Sequence, residues 1–208
     1  MEVLIKKAAI RGSLFLSYEF DQKEIGINNS IKTSSDQPIH EDLRIAFRKL
    51  IPHFAFICEE IKDEKLVKKA IESPKDYLMD RESSKDESFF KYSVYQFAIT
   101  DKKDAGEYIS ISGSKQLESL EEIVFTTPSI SLIDADYKFI EELNESIDEL
   151  KKEVLAYMQG KQAPKTQLEM FGSEEDDFDD FDDQMKEAGQ KLKDMGVTGV
   201  TLEVVNKE

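Results

Sequence analysis

Two histidines and one cysteine, His40, His53 and Cys58, are the side chains of this 208-residue chain that invite a nucleophilic or metal-binding reading. A thiolate beside an imidazole can attack a carbonyl, and the same pair can hold zinc, but both uses need the groups on one face. His53 and Cys58 lie five positions apart in a stretch with helical spacing, which sets them roughly 140° apart around the axis. A metal site would also need further ligands in register, and none is evident. Both histidines therefore read as structural, with His40 placed to organise the start of the first helix. The chain contains no Gly-rich phosphate loop, no G-x-S-x-G and no H-E-x-x-H. Carboxylates are plentiful without a pairing pattern, which leaves an acidic Mg²⁺-dependent nuclease as the open enzymatic alternative. The sequence assigns no catalytic residue, no metal ligand and no cofactor.

Charge narrows the function classes further. The formal net charge is −16. Residues 1–172 carry 24 basic and 32 acidic side chains, whereas 173–183 hold eight carboxylates and no base. These are Glu174, Glu175, Asp176, Asp177, Asp179, Asp180, Asp182 and Asp183, punctuated by Phe178 and Phe181. Such a chain repels a phosphate backbone unless positive residues gather locally, and no such cluster is evident along the sequence. Calcium binding by Asp176–Asp183 lacks the D-x-[DN]-x-[DN]-G spacing and its glycine. The single cysteine excludes an internal disulfide and suits a reducing compartment. No secretory apolar region follows Met1 and no apolar run approaches the roughly 20 residues of a membrane span, so a cytoplasmic location is expected.

Between the last clear helix and the acidic run lies "KTQLEMF", Lys165 to Phe171. Gln167, Leu168, Met170 and Phe171 resemble the bacterial sliding-clamp-binding motif, written Q-L-[SD]-L-F. Glu169 stands where that motif has Ser or Asp, and Met170 replaces Leu at similar volume. The physical logic is a glutamine amide set against a polar subsite while two or three apolar side chains enter a preformed pocket, with few residues to order. The plain alternative is that Leu168, Met170 and Phe171 latch back onto their own domain.

"PIHEDLRIAFRKLIPHFAFICEE" and "YISISGSKQLESLEEIVFTTPSI" resemble a group of bacteriophage proteins of unassigned function. The resemblance rests on Pro38, His40, Asp42, Leu43, Phe47, Pro52, His53 and the Gln167 to Phe171 peptide. It implies a phage or prophage origin near DNA recombination and replication, and it brings no catalytic residue. The acidic run is similar to the Phe-punctuated tails of single-stranded-DNA-binding proteins, although those tails end the protein and here 25 residues follow Asp183. Read without that resemblance, the run is a solvated linker extended by self-repulsion.

The elements that must position these residues follow from periodicity. Leu14, Leu16, Tyr18 and Phe20 alternate as one side of a half-buried strand, Val3 to Ile10 forms a second, and Gly12 and Ser13 separate them. "INNSIKTSSDQPI" reads as a polar loop. From Glu41 to Lys62, Leu43, Phe47, Leu50, Phe54, Ile57 and Ile61 recur at helical steps, with Pro52 expected to kink or divide the helix. A polar stretch follows from Ser73. Phe90 to Thr100 and Glu107 to Ser112 form a hairpin around a charged loop with Gly106, and "EEIVFTTPSI" adds a short strand ended by Pro128. A final helix, Asp136 to Gln159, is marked by Ile140, Leu143, Ile147, Leu150, Val154 and Tyr157, with Asp134 or Asp136 as cap and Gly160 as stop.

The expected architecture is α+β, an antiparallel sheet of about four to six strands covered by two main helices, with an acidic, flexible C-terminal tail. Residues 1–160 form the globular domain. Residues 161–183 supply a linker with the QLEMF peptide and the acidic run, and 184–208 a short helix (Met185 to Met195) and strand ("VTGVTLEVV"). The expected function is a phage-encoded accessory role in DNA replication or recombination, binding the host sliding clamp through the peptide. Two alternatives stand beside it. One is an acidic DNA mimic that inhibits a host enzyme. The other is a single-stranded-DNA-binding protein whose Tyr92, Tyr95, Phe97 and Tyr108 could stack on bases, core packing being the use expected of most of them.

Overall fold

Apolar residues alternate along a strand with period two, so a break in the alternation has to be absorbed by the backbone. The computed structural model describes residues 2–24, 27–102, 106–133 and 137–163. Within them, β1 (Glu2–Arg11), β2 (Phe15–Glu24), β3 (Ile27–Pro38), β4 (Tyr92–Lys102), β5 (Gly106–Gln116) and β6 (Glu122–Thr126) form an antiparallel sheet ordered β3-β2-β1-β4-β5-β6. The two-residue strand β7 (Ile130–Ser131) pairs with β5 as the seventh member. This is the α+β fold expected from the sequence, with one short strand more.

Two bulges set which face is buried. Tyr92, Val94, Phe97 and Ile99 are the buried apolar residues of β4, a series that skips a beat after Val94. Tyr95 is the extra residue between the Val94–Gly113 and Gln96–Ser112 pairs, and it returns Phe97 to the helix-covered face. Lys6 plays the same part in β1, so that Ile5 and Ala8 share that face and Ala8 pairs with Phe97.

The β1–β2 turn has positive φ at both Gly12 and Ser13, a conformation that matches the strand twist, and the Leu14 N–H donates to the Arg11 carbonyl at 3.2 Å. Leu14, expected on the buried side of the strand, sits in this turn and is exposed. Leu16 is wholly buried, and Tyr18 and Phe20 pack against the core. The stretch expected to be a polar loop is β3. Its pairing with β2 (Phe20 with Ile31, Tyr18 with Thr33) imposes the extended form, and its edge position tolerates the polar side chains that hide it from an apolar pattern.

The helical stretch expected over Glu41 to Lys62, kinked or divided at Pro52, is divided: α1 (Glu41–Arg48) and α2 (Ile51–Ile57). Pro52 falls in the first turn of α2, where its missing N–H costs no helical bond. Ile61 is buried but lies beyond the helix, after Glu59 turns the chain at φ 58°. An additional helix, α3 (Glu64–Glu72), starts at Asp63, whose carboxylate accepts from the Lys65 and Leu66 N–H groups at 2.9 and 3.3 Å. The polar stretch expected from Ser73 contains a π-helical turn (Lys75–Met79) that buries Tyr77 and Leu78, and a 3-10 turn (Ser88–Lys91) at its end buries Phe89.

The last described helix, α4 (Ile140–Met158), buries Leu143, Ile147, Leu150, Val154 and Tyr157, as the spacing requires. Phe139 occupies its N-cap position, Asp134 and Asp136 lying outside the described residues. Gly160 follows with φ 102°, a value suited to glycine. The Tyr157 hydroxyl donates to the Gln37 carbonyl at 2.5 Å and pairs with the Ser35 hydroxyl at 2.7 Å, fastening the end of α4 to β3. Lys161 reaches Asp42 and Glu153, at 2.7 Å each. Ile39 and Gln162 form an antiparallel bridge, and the Ala163 N–H donates to the Pro38 carbonyl at 3.1 Å. This compact unit spans Met1–Ala163. The helix expected at Met185 to Met195 and the strand "VTGVTLEVV" lie outside the described residues.

Candidate functional site

Position in α2 decides what His53 can do. It is wholly buried, its Nδ1 lies 2.8 Å from the Tyr137 hydroxyl, and its Nε2 has no hydrogen-bond partner among the described residues. Burial pushes its pKa down to about 3, so the imidazole is neutral at physiological pH. Burial, aided by the nearby Glu60 carboxylate, pushes the Cys58 thiol up to about 11. A thiol in that state is a poor nucleophile. His40 is the N-cap of α1, where its Nδ1 accepts the Asp42 N–H at 3.2 Å. Among the described residues, no three or more His, Cys, Asp or Glu side chains are grouped to hold a metal ion.

The four rings considered for base stacking do not form one platform. Phe97 is wholly buried, 6.3 Å from the Phe47 ring, and Tyr92 is 6% exposed, so both belong to the core. Burial in β4 follows from the bulge: the residues before and after it share the helix-covered face. Tyr95, the bulge residue, and Tyr108 are half-buried. Tyr108 pairs across the sheet with Thr100, and the Lys102 ammonium sits 4.0 Å from its ring centre.

What the sequence reading missed is a cleft of about 600 Å³ where α1 and α2, the two turns and the start of β4 meet. Arg44 and Arg48 line it from one face of α1, being four residues apart, and Arg81 lines it from the loop after the π-helical turn. These are three of the four arginines in the chain, and no lysine among the described residues lines the cleft. Phe47, Phe90 and Tyr95 contribute aromatic wall. The signal that could have found it is the clustering of arginine apart from lysine in an acidic chain. The 32 residues between Arg48 and Arg81 hide that clustering until the fold closes it.

Gln167, Leu168, Met170, Phe171 and the acidic run from Glu174 to Asp183 lie outside the described residues. No helix among the described residues is long and apolar enough to cross a membrane. Compared with protein-family models, curated proteins and solved structures, the chain matches none.

Proposed function

We propose that this chain is a non-catalytic accessory protein of phage DNA replication or recombination that docks on the host sliding clamp through Gln167, Leu168, Met170 and Phe171. It acts in the bacterial cytoplasm. The observation that carries the reading is the spacing along the sequence: the described residues end at Ala163, whose N–H donates to the Pro38 carbonyl, and Gln167 follows four residues later. A short peptide of this composition can be captured by a preformed cleft at little ordering cost. The state of His53 and Cys58 supports a binding role over nucleophilic chemistry, since one is buried neutral and the other is held as a thiol.

Purified bacterial clamp, immobilised, is expected to retain the full chain and to release the Gln167→Ala, Phe171→Ala double variant. Equal retention of both ends the proposal. A second reading rests on the eight carboxylates of residues 173–183. They suit an acidic decoy for a DNA-binding enzyme, and salt-sensitive competition with DNA for such an enzyme is its mark.

A further inference from the structure

Arginine is scarce in this chain and its copies are not dispersed: Arg44, Arg48 and Arg81 line one cleft, and Arg11 alone lies elsewhere. We propose that this cleft binds a nucleotide, an aromatic base carrying phosphate, either free or as one unit of a single strand. A guanidinium fork pairs two N–H groups with two oxygens of one acceptor, a geometry that an ammonium cannot offer. Three forks around one space suit phosphate better than carboxylate, because a phosphate group has oxygens enough for more than one fork. A carboxylate, with two oxygens, offers fewer acceptor positions.

The arginines are available for this. Arg44 and Arg48 share Glu41 at 3.7 and 3.9 Å, distances beyond hydrogen-bond length. Arg81 pairs with Glu87 at 3.1 Å on an exposed surface, a partnership that solvent makes easy to exchange. Two carboxylates also line the cleft, Asp80 and Glu122. Asp80 is engaged within its own loop, accepting from the Ser83 hydroxyl at 2.8 Å and the Glu82 N–H at 3.1 Å, and these bonds hold its pKa below the usual range. The lining itself carries three guanidinium groups and two carboxylates, and Glu41 and Glu87 lie against the arginines, so a phosphate enters by displacing these two exposed glutamates. The half-buried Phe90 and Tyr95 rings offer faces for a base, and a volume of about 600 Å³ falls in the range of small-ligand sites.

The test is fluorescence anisotropy of a labelled oligothymidylate with the full chain at low salt. Unlabelled thymidine triphosphate, inorganic phosphate and an acidic Phe-containing peptide serve as competitors. Saturable binding that weakens with salt is expected. Displacement by the triphosphate at matching concentration assigns the free nucleotide, and displacement only by unlabelled oligonucleotide assigns the strand. The Arg44→Gln, Arg48→Gln variant is expected to lose at least roughly tenfold in affinity, the scale of a lost charge-assisted bond. The Arg81→Gln variant, altered in an exposed loop, loses affinity as well, while Lys68→Gln on the exposed face of α3 leaves it unchanged. No binding of either nucleotide form, equal affinity in all variants, or displacement by the acidic peptide alone overturns the proposal. Retention on the clamp is unaffected by the arginine changes, so failure here and failure of the clamp reading are separable.

Discussion

Gly113 lies against the Phe54 ring so closely that a Cβ on residue 113 would come within 2.8 Å of that ring and 2.3 Å of the Ser93 carbonyl oxygen. The contact fixes how α2 sits over β5, and Phe54 in turn stacks on Phe125 of β6 with ring centres 4.7 Å apart. The carbonyl belongs to the neighbouring strand and cannot swing aside as a side-chain end would. Gly113→Ala is therefore expected to destabilise the fold by about 1–3 kcal/mol, the cost of overpacking. Urea denaturation measures it, and an unchanged midpoint would show that the sheet and α2 separate more readily than this contact implies.

Tyr157 joins α4 to β3 through its hydroxyl, which burial holds in the protonated state by raising its pKa. Tyr157→Phe removes the donor to the Gln37 carbonyl and keeps the ring against Tyr18. The expected loss is roughly 1 kcal/mol, the net worth of one partly buried hydrogen bond. Thermal unfolding reads this as a lower midpoint, accompanied by faster amide exchange in β3 than in β4.

His53 makes stability depend on pH in a defined direction. Its folded pKa of about 3 lies below the ordinary 6.5, so between those values the unfolded chain binds a proton that the folded chain does not. Stability from this group is intact above pH 6.5 and falls as the pH drops toward 3, at about 1.4 kcal/mol per pH unit. His53→Leu removes that slope whatever its constant cost in packing. Denaturation of both proteins from about pH 7 to about pH 4.5 checks it; parallel curves would mean that the imidazole takes up its proton inside the fold.

Much of the helix-covered core was legible from spacing alone. Leu143 to Tyr157, Leu16 to Phe20 and Phe47 to Phe54 all face inward, because burial of one face is what their periods encode. The errors have separate physical causes. β3 carries no apolar alternation, since an edge strand takes its form from its neighbour, and the bulge residues Lys6 and Tyr95 shift the inward face within a strand. Tyr92 and Phe97 take the core packing expected of most of the four candidate rings. The arginine cleft was invisible for a different reason: its residues come from two segments that no local pattern links.

The most direct measurement is the affinity of the full chain for a purified bacterial sliding clamp by surface plasmon resonance, with a QLEMF-containing peptide as competitor. Saturable binding is expected, abolished by the peptide and weakened by at least about a hundredfold in the Gln167→Ala, Phe171→Ala variant, as loss of two anchors in one short peptide should do. Binding that ignores the peptide and survives the double substitution, or no binding by the wild-type chain, would contradict clamp docking.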